Sequence, residues 1–294
     1  KIIGRITIPT DLTVPYQTLV ERMADAVRQM LENAGMTLEQ CGGIGIGSPG
    51  TIDAKQGVIL YSNNFGWENV PIVEELKKHL DTRIEIANDA DAAALGEVCA
   101  GAAEGAENAV LLTLGTGVGS GVILDKKIFR GAMPGGCELG HLSIRYDGIR
   151  CTCGRKGCLE AYASASALLR IAREKAAEHP ESIMNEMCGN DLEQMNGKIP
   201  FDAAKAGDEA GMETVKEYEG YLACGIANVI NTFRPEKVIL GGGVAAQKDN
   251  LTAPLKDLVK DMCFGGSHGH IADIVTSVLG NDAGIIGAEN LVKL

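Results

Sequence analysis

Three of the chain's nine cysteines fall within eight residues, Cys151-Thr152-Cys153-Gly154-Arg155-Lys156-Gly157-Cys158. The spacing Cys-x-Cys-x4-Cys lets three thiolates converge on one ion, and Gly154 and Gly157 let the backbone fold tightly around it. Three ligands do not close a tetrahedral zinc site. His141, ten residues before Cys151 in the stretch GGCELGH, is the nearest candidate for the fourth and would give a Cys3His set. His79, His179, His268 and His270 are the other candidates. Four protein donors leave no open position for water, so such a site is structural and not a Lewis acid. The plainer reading is three reduced thiols on a surface loop.

Glycine makes up 38 of 294 residues, close to twice the average usage of about 7%. It is clustered in GGIGIGSPG (42–50), GTGVGSG (115–121), GGCELGH (135–141) and GGG (241–243), where backbone must turn sharply or approach a ligand. GTGVGSG joins two apolar runs in AVLLTLGTGVGSGVILDKKIF. Strand, glycine turn and strand together predict a hairpin loop that offers backbone N–H groups to phosphate. A dinucleotide turn would pass from strand into helix instead.

The elements that must hold these residues alternate. Apolar residues at three- and four-residue spacing from Tyr16 predict a helix, with Pro15 at its start and Gly35 past its end. GGIGIGSP, GVILYSN and RIEIAND read as strands, and VPIVEELKKHL and ADAAALGEVCAGAA as helices. Further on come a helix near SASALLRIAREKAAE, a weakly periodic stretch over 180–200, a long helix over 209–233, and a strand, glycine turn and helix start in EKVILGGGVAAQ. DIVTSVLG reads as a late strand and AGIIGAENLVKL as a closing helix. The first residues, KIIGRITIPT, alternate like a strand but have no hairpin partner before them. Strand and helix in this order predict an α/β fold with its ligand chemistry at the carboxyl ends of the strands.

A 294-residue chain with 45% hydrophobic residues has room for two packed domains. A net charge of −12 argues against nucleic-acid and anionic-membrane partners and favours small molecules. No apolar run approaches the roughly 18 residues a spanning helix needs, and clustered cysteines in odd number fit a reducing compartment, so a cytoplasmic protein is expected.

In combination and order, SPGTID (48–53), ANDADAAALGE (87–97), LGTGVGSG (114–121), ELGH (138–141), CTCGRKGCLEAYAS (151–164) and LGGGV (240–244) resemble the ROK family of repressors, open reading frames and sugar kinases, and most of all its bacterial glucokinases. The resemblance covers almost the whole chain. It implies an actin-like, hexokinase-like (ribonuclease H-like) ATPase fold of two α/β domains with a cleft between them. The smaller domain would hold residues 1–98 plus 283–294 and the larger one 99–282, with the zinc site. It also implies ATP and Mg2+ as the co-substrate complex, a structural Zn2+, and a homodimer or homotetramer.

Phosphoryl transfer asks for positioning, charge neutralisation and a base near the attacking hydroxyl. Asp89, at a strand end, is the candidate base and Asn88 its orienting partner; the bland role for Asp89 is a helix N-cap. Asp91, in the first helical turn, serves as a comparison carboxylate expected only to meet the helix dipole. By the same resemblance Gly50, Thr51, Asn63, Asn88, Asp89, Glu138, His141 and Glu160 would bind the sugar. His141 would use one ring nitrogen for zinc and the other for a hydroxyl. Gly115, Thr116 and Gly117 would meet the ATP phosphates, Gly241, Gly242 and Gly243 the adenosine, and His141, Cys151, Cys153 and Cys158 the zinc.

ROK kinases carry an Asp-x-Gly-Gly-Thr phosphate loop on a first hairpin, and the sequence as given has none, so a short segment preceding Lys1 is expected. The implied activity is phosphorylation of a hexose, glucose first, with N-acetylmannosamine or another hexose as the near alternative. A sugar-responsive transcriptional regulator is the alternative of another class.

Overall fold

The computed structural model describes residues 2–269 and 271–293, so Lys1, His270 and Leu294 lie outside the described residues, and with them one candidate zinc ligand and both outer ends of the expected smaller domain. In chain order the elements are α1 (Tyr16–Ala34), β1 (Ile44–Ser48), β2 (Thr51–Asp53), β3 (Val58–Ser62), β4 (Trp67–Val70), α2 (Ile72–Lys77), β5 (Ile84–Asn88), α3 (Asp89–Ala100), β6 (Ala109–Leu114), β7 (Val118–Leu124) and β8 (Lys127–Ile128). There follow α4 (Glu160–Ala163), α5 (Ala165–Glu178), α6 (Ile183–Met187), α7 (Ile199–Lys205), α8 (Glu209–Phe233), β9 (Lys237–Gly241), α9 (Asp249–Met262), β10 (Asp273–Thr276) and α10 (Asp282–Leu291). Contacts divide the chain into two units: residues up to Gly105 with Gly121–Cys137 and those from Asn281 onward, and Ala106–Ser120 with Glu138–Gly280.

In the first unit, α1 begins after Pro15, whose fixed φ suits a helix entry, and stops at Gly35, whose φ of 65° continues no helix. β1 and β5 run parallel from Ile44 opposite Ile84 to Ser48 opposite Asn88, so both strands end level. β2, β3 and β4 form an antiparallel three-stranded sheet with Thr51 opposite Tyr61. Val20, Ile52, Ile59, Ile72, Leu76 and Ile86 are among the buried side chains of the core beneath. α10 lies backbone-close on α3 and β1, because a Cβ at Gly96 would strike Ala283, one at Gly287 would strike Ala92, and one at Gly45 would strike Ala288.

In the second unit β6, β9 and β10 are parallel, with β9 central, and β7 starts beside β6. α8 has its start at the side chain of Asp208, which accepts from the Gly211 N–H at 2.8 Å. The same carboxylate accepts from Ser182 Oγ and the Ile183 N–H, fixing the entry of α6. A second core gathers Ala172, Met184, Met195, Ile199 and Ala203.

Most expected elements stand where the pattern put them, with two corrections, at residues 2–11 and after the glycine turn at 241. Residues 2–11 carry no strand: alternation alone gives no ladder, and no described strand pairs with them. The stretch 180–200 holds α6 and the start of α7, each too short to establish a period. The helix begun after the glycine turn at 241 starts only at Asp249, after a 3-10 segment over Gly243–Gln247. No described helix is long and apolar enough to cross a membrane.

Candidate active site and metal knot

The candidate metal knot is folded by short-range backbone bonds. The Cys151 N–H donates to Arg155 O at 2.8 Å, the Gly157 N–H to Ile149 O at 2.9 Å, and the Leu159 N–H to Leu142 O at 2.8 Å. Gly154 and Gly157 have φ of 88° and 77°, and a Cβ at Gly157 would overlap the Arg145 carbonyl. These turns bring the ligand atoms of His141, Cys151, Cys153 and Cys158 within 4.8 Å of one another, the one such cluster among the described residues. Cys153 Sγ lies 3.6 Å from Cys158 Sγ, and Cys151 Sγ lies 3.8 Å from His141 Nδ1. A tetrahedral zinc with bonds near 2.3 Å sets its donors about 3.8 Å apart. Burial pushes the Cys158 thiol up to about 12 and also raises Cys151, whereas the Arg155 backbone N–H lowers Cys153. Such a cluster ionises fully only beside a cation. Distances and donor chemistry both fit zinc, with His141 as fourth ligand; His79, His179 and His268 lie outside the cluster.

The knot continues into the glycine turn. His141 ends a 3-10 turn capped at Glu138, whose Gly140 touches β7 so closely that a Cβ would strike the Val118 carbonyl. The Leu139 N–H donates to Ser120 Oγ at 3.0 Å. Glu160, at the start of α4, accepts from the Val118 N–H through Oε2 at 3.0 Å and from Thr152 Oγ1 through Oε1 at 3.0 Å. Gly115 spends its N–H inside the turn, on Gly117 O at 3.0 Å. That leaves the N–H groups of Thr116 and Gly117 pointed at no acceptor among the described residues, with Thr116 exposed. Gly242, at φ 82°, is pressed against the Leu114 carbonyl, so the 241–243 turn sits beside the 115–117 turn. The expected ATP residues are thereby brought together within the second unit.

The first unit assembles the other set. Asn88 is the N-cap of α3: its Oδ1 accepts from the Ala90 N–H at 2.8 Å and the Asp91 N–H at 3.4 Å, and its Nδ2 donates to Gly50 O at 3.1 Å. The capping role weighed for Asp89 thus falls to Asn88. Asp89 is the first helical residue and is exposed, with Oδ1 also accepting from the Ala90 N–H. Gly50, at φ 115°, would clash with the Tyr61 carbonyl if it carried a Cβ. Thr51 pairs with Tyr61, whose hydroxyl lies 3.4 Å from Asn63 Oδ1, so Gly50, Thr51, Asn63, Asn88 and Asp89 surround the ends of β2, β3 and β5. Asp91 is buried rather than a mere dipole partner; it lines a cavity of about 150 Å³ with Asp53, Lys55 and Arg130, its Oδ2 close against Gly136.

The ROK family model matches residues 4–294. The chain belongs to the ROK family. It is 36% identical to a glucokinase of Thermotoga maritima over 294 residues, covering 100% of this chain and 90% of that one. The crystal structure of a ROK family glucokinase from Streptomyces griseus, in complex with glucose and AMPPNP, is similar with TM-score 0.77 and 31% identity, over 94% of this chain and 88% of that one. A xylose repressor of Caldicellulosiruptor bescii is 30% identical over 84% of this chain and 62% of the repressor. As a ROK chain it has the actin-like ATPase fold of these neighbours. Two participants escaped the sequence reading. Thr152 carries no signal beyond lying between two ligands, and Ser166, whose Oγ donates to Thr116 O at 2.9 Å, stands in an ordinary helix start.

Proposed function

We propose that this chain is an ATP-dependent sugar kinase that phosphorylates the 6-hydroxyl of glucose. The reading is carried by Asp89: an exposed carboxylate at a helix start, relieved of capping by Asn88, in a chain similar over its whole length to a glucokinase. The residues we assign to the sugar hydroxyls are Gly50, Thr51, Asn63, Asn88, Glu138, His141 and Glu160. Glu160 Oε2 spends one lone pair on the Val118 N–H and keeps another for a hydroxyl. His141 turns Nδ1 to the knot, which leaves Nε2 for the sugar.

In the reaction Asp89 takes the proton of the 6-hydroxyl as its oxygen forms a bond to the γ-phosphorus. The bond from that phosphorus to the oxygen bridging to ADP breaks, and ADP departs with the electron pair. The N–H groups of Thr116 and Gly117 and the Thr116 hydroxyl hold phosphate oxygens, and the turn at Gly241, Gly242 and Gly243 receives the adenosine. Mg2+ enters with ATP and neutralises phosphate charge. His141, Cys151, Cys153 and Cys158 would hold zinc, which would supply a structural crosslink. The proposal includes a cytoplasmic location, supported by clustered cysteines in odd number, and a homodimeric or homotetrameric assembly.

The test is ADP release with Mg-ATP and glucose, N-acetylmannosamine, mannose, fructose or N-acetylglucosamine. Glucose should give the highest kcat/KM; a higher value for N-acetylmannosamine would reassign the substrate, and no sugar-dependent release would end the kinase reading. Asp89→Asn should lower kcat by about 10²–10⁴ with sugar binding retained. An active variant would remove Asp89 as base.

A further inference from the structure

We propose that Glu160 is a positioning residue that transmits the state of the metal knot to the nucleotide turn, so that metal loss weakens ATP binding as well as disturbing the knot. The inference rests on the reading of residues 115–118 as that turn.

One carboxylate joins the two features. Oε1 accepts from Thr152 Oγ1 at 3.0 Å and lies 3.4 Å from Cys151 Sγ, inside the knot. Oε2 accepts the Val118 N–H at 3.0 Å and fills the space where Gly117 would carry a Cβ. Glycine at 117 is therefore shaped to the carboxylate as much as to any phosphate. Two further bonds come from the residues just downstream: the Ala165 N–H donates to Gly115 O at 2.8 Å and Ser166 Oγ donates to Thr116 O at 2.9 Å.

Through Glu160, Ala165 and Ser166 the segment 160–166 thus meets each of Gly115, Thr116, Gly117 and Val118. Its other end is fixed by the knot, because Cys158 and Leu159 are fully buried and the Leu159 N–H is bonded to Leu142 O. Leu159 also packs where Gly225 of α8 has no side chain. A carboxylate so placed can hold the turn only while Thr152, which lies between the ligands Cys151 and Cys153, holds the carboxylate. When the ligands around Cys151 separate, Oε1 loses its anchor and the Thr116 and Gly117 N–H groups lose their fixed direction. Preorganised donors lose most of their value once they must be ordered by the ligand itself.

The probe is Mg-AMPPNP, titrated calorimetrically into the zinc-loaded protein, the chelated protein, Thr152→Val and Thr152→Ser, with zinc content measured in each. Thr152 is neither a metal ligand nor placed against substrate. Thr152→Val should keep one zinc per chain and raise the Kd for AMPPNP about three- to tenfold, the size expected for one hydrogen bond. Thr152→Ser should restore it, which a general loss of packing would not allow. Chelation should raise the Kd further. If chelation unfolds the chain, the zinc-loaded Thr152 pair decides. An unchanged Kd in zinc-loaded Thr152→Val overturns the positioning role and leaves the kinase reading standing. No AMPPNP binding by the zinc-loaded protein overturns both.

Discussion

The side-chain amide of Asn88 donates to the carbonyl of Gly50 over 3.1 Å, while its oxygen caps the helix that starts at Asp89. One residue therefore fixes the helix bearing the proposed base and the loop proposed to border the sugar.

Separating these duties gives the first prediction. Asn88→Ala should lose both and cost about 1–2 kcal/mol of stability, the usual worth of a cap. Asn88→Asp restores a good cap but has no N–H for Gly50. Its melting temperature should recover towards the parent value while glucose affinity stays weak. Recovery of both would show that the Gly50 tie is unimportant to sugar binding.

Glycine substitution tests the adenosine turn. Gly242→Ala meets a left-handed φ of 82° and the Leu114 carbonyl, so it should destabilise the fold by about 1–3 kcal/mol. A Cβ at Gly243 has nothing within 4 Å, so Gly243→Ala should melt like the parent. A loss of AMPPNP affinity in Gly243→Ala would then report close approach of the nucleotide. Unaltered affinity would move the adenosine elsewhere.

Glu219 gives a pH prediction. It is buried on α8, its Oε1 has no hydrogen-bond partner, and burial pushes its carboxyl up to about 7. The folded chain keeps a proton that the unfolded chain releases near its ordinary value of 4.5. The contribution is present in full below that value and is lost as pH rises through about 7. Glu219→Gln cannot titrate, so urea denaturation at pH 5 and pH 8 should show a smaller stability difference than the parent. An equal difference would show that Glu219 is already ionised or paired at pH 5.

Metal removal gives a fourth. Chelation, or Cys153→Ser, should remove zinc and lower the melting temperature, by about 2–4 °C for each kcal/mol of crosslink lost. Added zinc should restore the chelated parent but not the variant. A parent that holds no zinc after purification in its presence would make the cluster plain thiols, with Cys151 and Cys158 buried and Cys153 exposed.

The elements legible in the sequence were those with a long period or a hard stop. α8 was read over 209–233 because its pattern persists for 25 residues, and α1 because Pro15 and Gly35 bracket it. The clustering of His141 with the three cysteines was legible because three lie within eight positions and the fourth is the nearest histidine. What escaped depends on distant partners. Residues 2–11 alternate like a strand, and no sequence pattern reveals whether a ladder exists to receive them. α6 is set by Ser182 bonded to Asp208, 26 positions on. Glu160 was singled out for the sugar, but its bond to Val118 spans 42 positions and left no mark on either motif.

α10 seats its glycine against α3, yet Ala100 ends α3 and Asp282 begins α10, with the second unit's strands and helices encoded between them. The bare backbone face of α3 meant for α10 therefore waits for nearly the whole second unit to be made before it is covered. During synthesis that face should be open to proteases and chaperones. A released chain stopped at residue 280, followed by pulse proteolysis, would read that exposure directly.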